Sequence, residues 1–229
     1  MRYLELDFLR GLAIVLMVFF HISFDLNNFH FIDINIYHGK NWFYFRMVIV
    51  TLFMLSVGIS LSLTHKKGVD FQKAFKRFYV LAGASLAVTI ASFITFPNSW
   101  IYFGVLHFVA IASVVALAVI KHEWIALVLG VAIVVLFNLR LIDMHWLFIY
   151  LQPLLHLPKH TEDLVPFTPW LGVVFIGIFI GKKELFLFPL QKNSVTKFIG
   201  ALGRHSLLIY LTHQPLFFGI IAGAHFLLH

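Results

Sequence analysis

The chain has 229 residues, of which 61% are hydrophobic and only 12% charged, and it contains no cysteine. With a mean hydropathy of +0.92 it reads as a polytopic membrane protein, which excludes an ordinary soluble domain. The missing cysteine excludes disulfides, thiolate zinc sites and a cysteine nucleophile. The net charge of +7 does not imply nucleic acid as a partner, because the basic residues lie in short loops between apolar runs.

Seven apolar spans are predicted, at about 7–27, 42–63, 77–96, 101–120, 124–140, 167–181 and 205–228. The fold class is therefore all-α: a bundle of about seven transmembrane helices in a single domain, residues 1–229. The stretch Met144–Leu157 is apolar but brief, and it reads as an interfacial or re-entrant piece; if it crosses, the spans become eight. In span three, Ala82-Gly83-Ala84-Ser85 offers small residues for close packing on a neighbour. Lysine and arginine set the orientation. Thirteen lie at the N-terminal end and in the loops after spans two, four and six, against four (Lys40, Arg46, Arg140, Lys159) at the opposite ends. The excess places the N-terminus in the cytoplasm and the C-terminus outside.

Span one is apolar enough for lipid yet carries Asp7, Arg10, His21 and Asp25. An ionisable group at membrane depth costs about 2.5–3.5 kcal/mol on insertion scales, so such groups face a protein interior and generally serve function. Arg10 and His21 are eleven residues apart, close to three helical turns, and share a face. Asp25 follows His21 by four residues, within pairing distance. A His–Asp pair of this kind either acts as an oriented general base or only satisfies itself in a packed interface. His38 lies in the outer loop before span two, Arg46 just inside that span, and His107 near the start of span four. In span seven Pro215 has no amide hydrogen and releases the carbonyl of Leu211. His213 and Gln214 beside it are candidate donors to that carbonyl or to a ligand.

Several stretches together resemble the membrane acetyltransferases similar to heparan-α-glucosaminide N-acetyltransferase. They are Leu6-Asp7-Phe8-Leu9-Arg10-Gly11-Leu12-Ala13, Phe53-Met54-Leu55-Ser56-Val57-Gly58-Ile59-Ser60, Gly104-Val105-Leu106-His107, Pro169-Trp170-Leu171-Gly172, Leu202-Gly203-Arg204-His205-Ser206-Leu207 and Tyr210-Leu211-Thr212-His213-Gln214-Pro215. The Arg10–His21 spacing also resembles the arginine–histidine motif of the membrane acyltransferases that O-acetylate envelope sugars.

The resemblance implies acetyl transfer from cytoplasmic acetyl-CoA to an amine or hydroxyl of a sugar or glycolipid outside, with no metal. It implies His38 as the active histidine from one family and His21, with Asp25, from the other, and leaves the choice open. Arg10 is expected to hold a CoA phosphate. Arg46, His107, His213 and Gln214 are expected around the acceptor or the developing oxyanion. The expected setting is a lipid bilayer, the bacterial inner membrane, and a homodimer is allowed. The competing class is a transporter or flippase whose buried charges line a pathway, although no inverted repeat is visible.

Overall fold

The computed structural model describes residues 3–36, 39–66, 68–188 and 190–228. Among these, the elements are α-helices, in order α1 (Leu4–Asn28), α2 (Lys40–Thr64), α3 (Phe71–Thr95), α4 (Val105–Val115), α5 (Glu123–Asn138), α6 (His145–Leu154), α7 (Trp170–Lys182), α8 (Ser194–Arg204) and α9 (Ser206–Leu228), with a 3-10 turn at Ala116–Ala118 continuing α4. Four of them, α1, α2, α3 and α9, have the length and apolar composition to cross a membrane, and α4, α5 and α7 are shorter apolar helices. Each of the seven expected spans is occupied by one of these helices.

The boundaries differ from expectation for local reasons. Helix α3 begins six residues earlier than residue 77, because Asp70 caps it by accepting from the Lys73 amide at 3.1 Å. Its first turns therefore carry Lys73, Lys76 and Arg77 within the helix. Helix α4 begins at Val105, since the preceding residues are held extended: Phe103 forms a bridge with Leu164, and the Val165 amide donates to the Phe103 carbonyl. Helix α8 was not expected at all. It is started by a reciprocal cap in which the Thr196 amide donates to Asn193 Oδ1 at 2.9 Å while the Asn193 amide donates to Thr196 Oγ1 at 3.1 Å.

The chain forms two compact units. The first comprises Met1–Phe53 and Leu187–His229. Its core is Ile14, Met17 and Ile49, flanked by Phe20, Phe45, Phe53, Ile209 and Tyr210, so it is built by α1, the first half of α2, and α9. Helix α8 lies directly on α1. A Cβ added to Gly203 would collide with the Asp7 carbonyl and come within 2.8 Å of the Gly11 amide nitrogen, and one on Gly11 would collide with the Ile199 carbonyl. The two backbones touch because neither glycine has a side chain.

The second unit is Met54–Phe186. Helix α7 is its centre, burying Trp170, Gly172, Val173, Val174, Phe175, Gly177, Ile178 and Gly181. It meets the second half of α2 where a Cβ on Gly58 would lie 2.8 Å from the Gly177 Cα, and α5 where one on Gly172 would lie 2.6 Å from the Gly130 carbonyl oxygen. Trp170, at the start of α7, is buried. Gly83, by contrast, has nothing within 4 Å of an added Cβ. Close packing runs through the glycines of α2, α5 and α7, and α3 exposes Phe75, Tyr79, Leu86, Ile90, Phe93 and Ile94, an apolar surface suited to lipid.

Contacts between loops sort them to two ends of this unit. Lys66 pairs with Glu184 at 2.7 Å and Lys183 with Glu123 at 3.2 Å, joining the segments after α2, before α5 and after α7. Ser99 Oγ donates to Glu162 at 2.6 Å and Thr161 Oγ1 to the Trp100 carbonyl at 3.0 Å, joining the segments after α3 and after α6.

Substituting leucine at Gly58 or Gly177 is expected to cost about 1–3 kcal/mol or more through forced separation of the helices, whereas Gly83→Ala is expected to stabilise by roughly 0.5–1 kcal/mol through helix propensity. Thermal melts of the purified protein in one detergent measure both.

Candidate active site

The acid–base groups of the first unit meet where α9 runs alongside α1. Asp25 is 1% exposed, and a carboxylate so placed needs donors. They come from one residue: Gln214 Nε2 donates to Asp25 Oδ1 at 3.0 Å and to Oδ2 at 3.2 Å. The expected His21–Asp25 pair is therefore replaced. His21 turns instead to His213, with ring centroids 4.9 Å apart in an edge arrangement, and packs against Phe20. The two residues do share a face of α1, but α9 supplies a closer partner for each.

His213 is the most constrained of these groups. It is 5% exposed, and its Nδ1 lies 2.8 Å from the Tyr210 carbonyl oxygen and 3.2 Å from that of Ile209. A carbonyl only accepts, so Nδ1 carries the proton and Nε2 presents its lone pair. That Nε2 is buried and has no hydrogen-bond partner among the described residues, and the same holds for Gln214 Oε1 on the next residue. Two adjacent side chains thus present unsatisfied acceptors, a rare arrangement in a folded interior. His213 donates to Tyr210 and Ile209, not to the Leu211 carbonyl that Pro215 releases.

Other expected residues are placed differently. Arg10 lies eleven residues before His21, about 16 Å along the helix, with its guanidinium 3.9 Å from the Asp7 carboxylate. Arg46 is exposed on α2. His107 belongs to the second unit, and both its nitrogens are engaged there. The Gly104 amide donates to Nδ1 at 3.2 Å, so Nε2 carries the proton and donates to Thr89 Oγ1 at 3.0 Å, which donates on to the Ile101 carbonyl at 2.8 Å. It ties the start of α4 to α3, with both imidazole nitrogens bonded inside the second unit. Asp163 completes that junction by accepting from the Val105 amide at 2.9 Å.

His38 lies outside the described residues. The loop leading to it is anchored: the Ile34 amide donates to Asn27 Oδ1 at 2.8 Å and the Phe31 amide to the Leu26 carbonyl at 2.9 Å, so its first residues fold back on the end of α1.

One histidine outside the cluster was not singled out from sequence. His65, just beyond α2, is 1% exposed and accepts from the Asp70 amide at Nδ1, 3.1 Å, closing the turn into α3. Burial pushes its imidazole below the ordinary value of 6.5; the Asp70 carboxylate opposes this, and Arg77, Lys73 and Lys182 reinforce it.

These groups lie in apolar helices, so the fold is that of an integral membrane protein with a cluster of buried titratable side chains. The family model described as heparan-alpha-glucosaminide N-acetyltransferase, catalytic, matches residues 2–215, and the chain belongs to that family of membrane acetyltransferases. The matched stretch ends at Pro215 and so contains the whole cluster. Neither the curated proteins nor the solved structures include a match to this chain.

Because the folded state keeps His65 neutral, its contribution to stability is complete above pH 6.5 and declines as the pH falls below it, where the unfolded chain takes up a proton first. The melting temperature of wild type should fall by a few degrees more between pH 7 and pH 5 than that of His65→Gln, whose amide oxygen accepts without titrating.

Proposed function

We propose that this chain is a transmembrane N-acetyltransferase of a bacterial inner membrane, a single catalytic domain that moves an acetyl group from cytoplasmic acetyl-CoA to the amine of an envelope sugar outside. The observation that supports it most is His213, an imidazole whose tautomer is fixed by a backbone carbonyl and whose lone pair is buried and unpartnered among the described residues. Such a group is a ready general base.

In this reading the acceptor nitrogen attacks the thioester carbon, and one of its protons passes to His213 Nε2. The carbon–sulfur bond breaks, and the departing thiolate of CoA takes that proton from the imidazolium, leaving the amide product and free CoA. His21 borders the base through its ring contact, and Asp25 holds Gln214 in place. Arg10, about 16 Å nearer the cytoplasmic end of α1, suits a CoA phosphate, with the pantetheine arm spanning the interval. His38 is the base that the family resemblance favours; the variants below separate it from His213.

The topology proposed is seven spans, α1, α2, α3, α4, α5, α7 and α9, with the N-terminus inside. The loop contacts of the second unit support it: segments joined by Lys66–Glu184 and Lys183–Glu123 are all assigned inside by their basic residues, and those joined by Ser99–Glu162 are all outside. A chain without cysteine permits single-cysteine labelling directly. Lys183→Cys is expected to react with a membrane-impermeant maleimide only in inside-out vesicles, and Lys159→Cys only in right-side-out ones; the reverse pattern would overturn the orientation.

Purified protein in detergent is expected to consume acetyl-CoA in the presence of glucosamine. His213→Ala should lose at least 100-fold in turnover, the usual worth of a general base. A wild type that neither binds nor consumes acetyl-CoA contradicts the reading, and a loss confined to His38→Ala moves the base into the loop.

A further inference from the structure

The proposed reaction needs one acceptor on the enzyme, yet the cluster presents two. His213 Nε2 and Gln214 Oε1 both lie buried without a partner among the described residues, on consecutive residues of α9. Gln214 cannot turn its oxygen elsewhere. Its Nε2 is held by both oxygens of Asp25 at 3.0 and 3.2 Å, and exchanging the amide nitrogen and oxygen would set an acceptor against a carboxylate. Burying an amide oxygen with no donor is unfavourable. That cost is relieved when a ligand supplies a hydrogen.

A neutral primary amine attacking a thioester directs its lone pair at the carbonyl carbon and has two hydrogens left over. A secondary amine or a hydroxyl has one. We infer that Gln214 is a specificity-determining residue: its amide oxygen, locked by Asp25, accepts the second hydrogen of a primary amine whose first hydrogen goes to His213. This rests on the acetyl-transfer reading above and adds to it a reason for selecting primary amines. After transfer the product nitrogen keeps one hydrogen, which remains available to Gln214 Oε1 while the proton on His213 leaves with CoA. Asp25 acts here as a positioning residue, since it reaches the acceptor only through Gln214.

The test compares glucosamine with N-methylglucosamine as acceptors of acetyl from acetyl-CoA, reading the ratio of their kcat/KM values. Sites built to hydrogen-bond a group discriminate strongly against analogues that lack it. Gln214→Met, similar in size and without the acceptor, is expected to lower the primary-over-secondary ratio roughly tenfold relative to wild type. Asp25→Leu, which frees Gln214 to rotate, should lower it likewise, and it carries the test if the methionine variant does not fold. Asp25→Asn, whose amide offers a donor beside its acceptor and so no longer fixes which way Gln214 points, should lower the ratio as well. Equal losses on both acceptors in Gln214→Met and Asp25→Leu, with the ratio unchanged, would overturn the role of Gln214 and leave acetyl transfer standing. Absence of turnover by wild type on either acceptor would instead remove the acetyl-transfer reading, and this inference with it.

Discussion

The hydrogen bonds from Gln214 to Asp25 are the contact on which the rest of the candidate site depends. A carboxylate in an apolar helix pair is tolerated only when its oxygens are satisfied, and both oxygens of Asp25 take their donor from one amide on α9. That requirement fixes the register of α9 against α1. Once Gln214 sits on Asp25, the preceding residue, His213, lies against His21 four residues back on α1. The start of α9 is set from the other side. Only His205 separates it from α8, and α8 is pinned to α1 by backbone contact at Gly203 and Gly11.

The same economy of side chains shapes the second unit. Lipid offers helices no hydrophobic reason to associate, so association relies on close packing. Helix α7 has a glycine facing each neighbour, Gly177 toward α2 and Gly172 toward α5. Polar groups there are consumed at the ends, where His107 and Asp163 hold the start of α4 and His65 closes the turn before α3. Histidines of one chain therefore divide by what remains of their nitrogens. His107 has both engaged, while His213 has one engaged and one without a partner among the described residues.

Much of this was legible in the sequence. Hydropathy located the seven apolar helices because a run that must satisfy lipid has to be apolar along most of its length. It missed α8, which is short and amphipathic, with a capped start at Asn193 that reads like a loop. The stripe of Arg10, His21 and Asp25 on α1 was readable from helical period alone. Its partners were not, because the period of one helix says nothing about which residue of another faces it; hence Asp25 was paired with His21 instead of Gln214. Gly83 misled for the same reason. A small residue permits close approach without showing that a neighbour takes it up, and Gly58, Gly172 and Gly177 are no more conspicuous in sequence. The freedom of His213 Nε2 was invisible at that level, since it follows from where the Tyr210 carbonyl lies.

The proposed chemistry rests on His213 as a neutral imidazole protonated on Nδ1, with Nε2 as the acceptor. Nitrogen-15 NMR of histidine-labelled protein in micelles, with the His213 signals assigned by their loss in His213→Phe, observes this state directly. A protonated Nδ1 is expected, with an unprotonated Nε2 whose resonance shifts when a primary amine acceptor binds. A His213 found protonated on Nε2, or on both nitrogens at neutral pH, would contradict it.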